Sequence, residues 1–190
     1  MVRWGERVPE RNKGVYVVSL SARADEVDAT LRTAPIAPCA LAQLLKVRPE
    51  LRLDGESPTP EALKARIESF WAADEIVLYI GRAGLRDRDR SLSTRVREYY
   101  KTPLGARRPH SGGWFLKLLR KLDSLFVFYS PVSDPEGAEG AMIRRYCEGL
   151  SEATLLRIRD PAHPFPFANL EYPRRVYKLH GITGARGDVP

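Results

Sequence analysis

The chain has 190 residues, 43% hydrophobic and 29% charged, with a formal net charge of +7, a size and balance that suit one globular domain. Its apolar runs are short, none near the roughly 18 residues of a membrane span, and the opening Met1, Val2, Arg3, Trp4, Gly5, Glu6, Arg7 lacks the apolar stretch of a secretory signal; a cytoplasmic protein is expected. Cys39 and Cys147 lie far apart with no CxxC pair, so neither a disulfide framework nor a zinc site is indicated.

In chain order, Val15, Tyr16, Val17 and Val18 make 14–20 a β-rich run, read as a first strand. Residues 21–74 differ in character. Asp25 to Leu31 is weakly helical and Ala40 to Val47 more so. The best helix runs from Pro60 to Ala73, with Thr59 as cap, Pro60 in the first position, and Leu63, Ile67, Phe70 and Trp71 on one face. Residues 75–81, with Ile76, Val77, Leu78, Tyr79 and Ile80, form a second strand that pairs with the first. Leu92, Val96, Tyr99 and Tyr100 then mark an amphipathic helix over 91–101 capped by Ser91. A basic loop, 102–113, leads to a helical stretch at 114–122, a third strand at 125–130, and a helix over 135–150 with Met142, Ile143, Tyr146 and Leu150 on one face. From Asp160, Pro161, Pro164, Pro166 and Pro173 interrupt any regular element.

The charge is not spread evenly. Residues 82–121 hold twelve Lys or Arg against Asp87, Asp89 and Glu98, a local +9 that leaves −2 for the rest of the chain. A concentrated basic segment on a near-neutral body is the footprint of a polyanion binder, because neutralising phosphates releases counterions. The 21–74 stretch carries nine acidic residues against seven basic ones and is a poor candidate for that surface.

Gly14, Val15, Tyr16 in one strand and Tyr79, Ile80, Gly81 in the next resemble the paired motifs that name the GIY-YIG nuclease family. The continuation through Arg82, Ala83, Gly84 and Leu85 to Arg95 and Tyr99, four apart on a helix, extends the resemblance. Glu139 matches the family's helical glutamate, and Asn169 stands for the asparagine that follows. The likeness touches most of 14–169. It departs from the family in the long 21–74 connection between the two tyrosine motifs and in the wide interval from Glu139 to Asn169. A long surface insertion is tolerable, since each doubling of a flexible loop costs only about 0.6 kcal/mol.

The resemblance implies a small α/β sandwich over 1–190. It would have a three-stranded, mainly antiparallel sheet (14–20, 75–81, 125–130) flanked by helices, with 21–74 as a helical insertion and 160–190 as a Pro-rich C-terminal extension. It also implies a metal-dependent endonuclease that leaves a 5′ phosphate and a 3′ hydroxyl on nucleic acid, expected to be DNA.

Phosphodiester hydrolysis needs a nucleophilic water, a group to take its proton, and positive charge where the phosphorane and leaving oxygen gain negative charge. Glu139 would hold Mg²⁺ or Mn²⁺, magnesium often needing only one or two protein carboxylates. Arg95 would grip the phosphate with its planar fork. Tyr16 would be the proton acceptor, as the resemblance implies, and Tyr79, Tyr99 and Asn169 complete the catalytic set. Lowering a tyrosine from its ordinary value near 10 by about three units takes roughly 4 kcal/mol of phenolate stabilisation, for which Arg82, Arg95 and the metal are the sources. Tyr16, Tyr79, Arg95 and Glu139 should then share one concave surface, with Arg95 and Glu139 on the same face of the sheet. Arg82, Arg107, Arg108, His110, Lys117 and Lys121 are the expected nucleic-acid contacts, His110 also being placed to assist proton transfer. The alternative is a nucleic-acid-binding module of the same fold without catalysis, and the segregated charge argues against a scaffold with no nucleic-acid role.

Overall fold

In a computed structural model that describes residues 1–23, 26, 29–84, 90–110 and 112–187, helices surround a four-stranded antiparallel sheet. Its strands are β1 (Val2–Arg3), β2 (Gly14–Ser19), β4 (Val77–Ala83) and β5 (Phe126–Pro131), in the order β1-β5-β2-β4. The expected three-stranded sheet therefore gains a strand, because Val2 and Arg3 pair with Val127 and Phe126 on the outer side of β5. A short second sheet joins β3 (Arg52–Leu53) to β6 (Ile182–Thr183). The helices are α1 (Pro38–Val47), α2 (Pro60–Glu68), α3 (Leu92–Lys101), α4 (Pro135–Gly149) and α5 (Glu152–Arg157). Among the described residues no helix is long and apolar enough to cross a membrane.

β2 lies between β4 and β5, and side chains on both of its faces are buried, which is why it reads as an unbroken apolar run rather than an alternation. Tyr16 stands opposite Gly81 and Tyr129, and Val18 opposite Tyr79 and Val127. Alternation therefore puts Tyr16, Val18, Tyr79 and Gly81 on one face and Val15, Val17, Ile80 and Arg82 on the other. α3 covers the first face through Leu92, Val96 and Tyr99. α4 lies against β4 and β2, and its first turns meet Arg82 on the second.

Two helices differ from their expected form. The 60–73 helix stops at Glu68, and the chain tightens into i→i−3 bonds from Phe70 to Ile67 and from Trp71 to Glu68. That turn lets the Trp71 indole donate to the Leu31 carbonyl at 2.6 Å and meet Phe167 edge-on. Over 114–122 there is a 3-10 turn, Trp114–Leu118, and a second at Leu122–Ser124. Trp114, Phe115, Leu116 and Leu118 are all buried, so this segment has no polar face to turn outward as a surface helix would. Within the expected 25–31 helix, residues 25, 27 and 28 lie outside those described, as do Leu85, Arg86 and Arg88.

The insertion and the C-terminal extension join the same core as the sheet. Leu41, Leu44, Leu63, Ile67, Phe70 and Trp71 pack in one cluster with Tyr16, Tyr99, Phe167 and Ile182. Lys178, buried in the tail, donates to the carbonyls of Phe165, Pro166 and Phe167 at 3.0–3.2 Å.

Candidate active site

The site is built on the β2–β4 pair, where the chain needs a residue without a side chain. A Cβ on Gly81 would fall 2.6 Å from Tyr79 Cε1, 2.7 Å from Tyr16 Cζ and 2.8 Å from Tyr16 Oη. Both tyrosine rings therefore lie over Gly81, their centroids 5.9 Å apart. Tyr99, on the inner face of α3, approaches Tyr79 at 5.3 Å, and its hydroxyl donates to the Gly113 carbonyl at 2.5 Å. Gly113 adopts φ +66° with Tyr99 Oη where a Cβ would stand, a position that excludes other residues on both counts.

His110 closes the group from the 102–113 loop. Its ring stacks on Tyr99 at 4.2 Å with 5° between planes, its backbone N–H donates to Thr102 Oγ1 at 3.1 Å, and its Nδ1 lies 3.1 Å from the Gly112 carbonyl. A carbonyl only accepts, so Nδ1 carries the proton and Nε2 is left as an acceptor. Nε2 sits 2.9 Å from Tyr16 Oη, so Tyr16 donates to His110.

Burial sets the charge states here. It holds Tyr16 well above the ordinary tyrosine value, with Tyr79 adding to the effect and Arg95 opposing it; Tyr99 is raised in the same way. Tyr79 is pushed up to about 12 by burial and by Glu139, against the fields of Arg95 and Arg82. His110 is held well below its ordinary value by burial and by the cations of Arg95 and Lys117. Among the protein's own groups Arg95 lowers Tyr16, but desolvation outweighs that field, so the expected phenolate would need the charge of a bound metal as well.

A more open rim adjoins this interior. The side chains of Arg82, Arg95 and Glu139 are 23%, 20% and 17% exposed, whereas Tyr79 is 8% exposed, His110 2% and Tyr16 1%. Arg82 Nε lies 3.3 Å from Glu139, and Arg82 Nη1 3.1 Å from Glu136. Arg95 lies 3.5 Å from Glu98, which Arg90 also contacts at 3.1 Å, and 3.5 Å from the Pro109 carbonyl. Arg95 and Glu139 come from helices on the two sides of the sheet, a correction to the single face expected for them. They act on common ground around β4, the outermost strand of the sheet: the Arg95 field is felt at Tyr16, Tyr79, Tyr99, His110 and Glu139, and the Glu139 field at Tyr79.

Among the described residues no three His, Cys, Asp or Glu gather as a metal cage, so Glu139 is tested as a cation ligand on its own surroundings. Burial pushes its carboxyl up to about 7, Glu136 adds to this, and Arg82 and Arg95 offset only part of it. The Arg82 contact at 3.3 Å is longer than the about 2.7–2.9 Å of a tight charge-assisted bond. A desolvated carboxylate short of positive charge, beside a second carboxylate, suits a hard divalent ion that keeps most of its waters.

Three further expectations are corrected. His110 is buried against Tyr99 and is not a surface phosphate contact. Lys117 points inward, donating to the Thr102 carbonyl and lying 5.8 Å from the Tyr99 ring centre; burial brings it down to about 8. Asn169, expected among the catalytic groups, spends its amide on the outer edge of β4, accepting from Ile80 N–H at 2.9 Å and donating to Ile80 C=O at 2.8 Å. It positions the strand between Tyr79 and Gly81. Arg107 and Arg108 are exposed on the loop beside the Arg95–Pro109 contact. Lys121 is exposed before the end of β5 that pairs with Ser19, away from the Gly14 end where Arg82 lies. Glu98 and Glu136 were not singled out from the sequence, although each stands three residues from a chosen residue on the same helix face. Comparison with protein-family models, curated proteins and solved structures gives no match.

Proposed function

We propose that the chain is a divalent-metal-dependent endonuclease of the GIY-YIG type, hydrolysing phosphodiester bonds in nucleic acid. The observation that carries this reading is the convergence around β4 of Tyr16, Tyr79, Tyr99, Arg95 and Glu139, drawn from four elements and coupled through the field of Arg95. Arg95 and Arg82 would bind the phosphate at the rim, where charge develops in the transition state. Glu139 would hold magnesium or manganese, which supplies Lewis-acid charge to the phosphoryl oxygen. The tyrosine interior fixes the rim by packing, with Gly81 bringing the rings close.

The test incubates the purified protein with linear, nicked, branched and single-stranded DNA and RNA, with and without Mg²⁺ or Mn²⁺. Cleavage that needs the metal and leaves 5′ phosphate and 3′ hydroxyl ends is expected. Binding without cleavage on any of these would replace the enzyme with a nucleic-acid-binding module, a reading favoured both by the seclusion of Tyr16 and by the placement of Arg95 and Glu139 on opposite sides of the sheet, which counts against the single catalytic surface expected of the nuclease.

A further inference from the structure

A cavity of about 440 Å³ opens between α4 and the C-terminal extension, within the about 300–1,000 Å³ of small-molecule sites. Buried Ile143 lines it, and His163, Phe165 and Tyr172 bring three rings to it. The Phe165 ring stands 6.0 Å from that of Tyr172 at 88° and 5.8 Å from that of His163. All three are half-buried, so each keeps part of its surface open.

Polar bonds hold these walls in place. Asp160 accepts from His163 Nδ1 at 3.0 Å and from the Leu179 amide at 2.7 Å, and Lys178 donates to the Phe165 carbonyl at 3.1 Å. The turn that carries Tyr172 is closed by two bonds of 2.9 Å, from Tyr172 N–H to the Val176 carbonyl and from Val176 N–H to the Pro173 carbonyl. A site fixed before binding loses little freedom when it is filled.

The mouth is charged. Arg144 donates to Tyr172 Oη at 3.2 Å. Arg145 is exposed beside it, and Arg174 and Arg175 are exposed in the turn between the lining residues Pro173 and Val176. These four cations outnumber the neighbouring carboxylates, Glu148 and Glu171. The Tyr172 hydroxyl also rests on Gly140, where a Cβ would lie 2.6 Å from it, so the cavity begins one residue along α4 from Glu139. Its wall at Cys147 is eight residues on from Glu139, about 12 Å at 1.5 Å per residue, a span of a few nucleotides.

We propose that this cavity seats an unpaired nucleobase of the nucleic acid whose backbone lies at the rim, the base resting against Phe165 and Tyr172 and its flanking phosphates on Arg144 and Arg174. The substrate class is thereby single-stranded or locally unpaired nucleic acid. This rests on the nucleic-acid reading above and not on cleavage. Aromatic rings stack any base while cations track the backbone, the combination that holds single strands with little sequence preference. A base paired in a duplex has its faces stacked already and must leave the helix to reach the rings. An aliphatic chain would fill the apolar space but leave the arginines without a counterion. A phosphoserine peptide would meet the arginines and leave the rings uncovered.

Two measurements on the full chain, in chelator so that nothing is cut, test it. In fluorescence anisotropy at low salt, a labelled single strand should bind about tenfold more tightly than the duplex of the same sequence, and should lose about tenfold when its bases are replaced by abasic sites, the scale of one stacked base. Ala162→Trp fills the cavity from an exposed lining position. It should abolish both differences while leaving duplex affinity and melting temperature as in the wild type, and Phe165→Leu should reduce them in part. A strand carrying 5-iododeoxyuridine should photocrosslink to Phe165 or Tyr172 in the wild type and to neither in Ala162→Trp. Equal affinity for single strand and duplex, abasic strands held as tightly as intact ones, or crosslinks that persist in Ala162→Trp overturn the proposal, as does a phosphoserine peptide that binds more tightly than any oligonucleotide. Failure of the nuclease reading is distinct: a wild type that holds single strands through the cavity yet cleaves nothing with Mg²⁺ or Mn²⁺ keeps the base site and loses the enzyme. Cleavage of duplex and single strand alike, unchanged in Ala162→Trp, keeps the enzyme and loses the base site. No binding of any oligonucleotide removes both.

Discussion

The interior and the rim of this site use similar residues under opposite rules. Tyr16, Tyr99 and His110 are fully or almost fully buried, and desolvation is the largest of the influences that favour the neutral form of all three. Arg82, Arg95 and Glu139 keep some contact with solvent, and the cations of Arg82 and Arg95 offset part of the rise that burial imposes on the Glu139 carboxyl. Titratable side chains packed together therefore do not share one chemistry. The interior sets geometry and the rim answers to ligands.

Glu139→Gln breaks the rim while leaving the interior intact, and gives the largest expected effect. The folded protein holds the Glu139 proton up to about pH 7, against an ordinary value of 4.5. Between those values the folded state binds a proton that the unfolded chain has released. Stability is thus full below about pH 4.5 and falls as pH rises through 7, by an amount on the order of 3 kcal/mol. Glutamine has no charge to desolvate. The variant should lose cleavage about a thousandfold, the scale of a lost metal ion, yet melt at a higher temperature than the wild type at pH 8 without metal. Cleavage at the wild-type rate would place the metal elsewhere; a lower melting point would show that Glu139 stabilises the fold as an ion.

Gly81→Ala acts from the interior. The new methyl group meets Tyr16 and Tyr79 atoms at 2.6–2.8 Å, so the rings must shift, with a loss of about 1–3 kcal/mol from overpacking. Displacing the tyrosines relative to Arg95 should slow cleavage about a hundredfold, with nucleic-acid affinity nearly unchanged in a gel shift. If binding fell as much as cleavage, the interior would be shaping the phosphate seat directly.

Asn169→Ala leaves Ile80 N–H and C=O without their partner at a buried strand edge, costing about 1–3 kcal/mol in urea melts. Asn169→Asp should be no better, because a carboxylate accepts from the Ile80 amide but faces its carbonyl oxygen. Recovery of stability in the Asp variant would mean that Asn169 contacts a cation or phosphate rather than the strand.

How much of this was legible in the sequence follows the same division. Strands β2 and β4, helix α3 with its Ser91 cap, and the glycine of the second motif were readable because each depends on local pattern. Ser91 Oγ accepts from Thr94 N–H as such a cap should. The extra strand at Val2–Arg3 was not, since two residues carry no alternation, and its existence depends on an edge that only the folded β5 presents. His110 in the basic loop and Lys117 in the helical stretch after it were read as exposed nucleic-acid contacts, because loops and basic side chains are usually solvated. Their burial follows from the apolar run Trp114–Leu118 drawing the loop inward over Tyr99, a tertiary effect that no window of sequence displays. Asn169 stands far from β4 in sequence, and nothing local announces that its amide will meet Ile80.

The smallest effects are expected among the basic residues, and there the structure separates what the sequence grouped. Arg108 is exposed next to Pro109, whose carbonyl faces Arg95, so a phosphate seated at Arg95 has Arg108 within reach of its neighbours along the strand. Arg108→Glu should weaken DNA binding about tenfold at low salt and reduce the slope of log affinity against log salt by about one, as for the loss of one phosphate contact. Lys117→Glu should fail differently, because a carboxylate would replace an inward ammonium that donates to the Thr102 carbonyl, leaving a buried acceptor against an acceptor; the expected readout is a lower melting temperature. Lys121→Glu exposes its new charge at the far end of β5, several strand positions from Tyr16. Exposed charges separated by more than the Debye length, about 10 Å at 0.1 M salt, are largely screened. Lys121→Glu should therefore change affinity less than twofold at 0.1 M and leave the salt slope as in the wild type. A slope reduced as much as by Arg108→Glu would mean that bound nucleic acid spans the whole sheet edge rather than the Arg95 end alone.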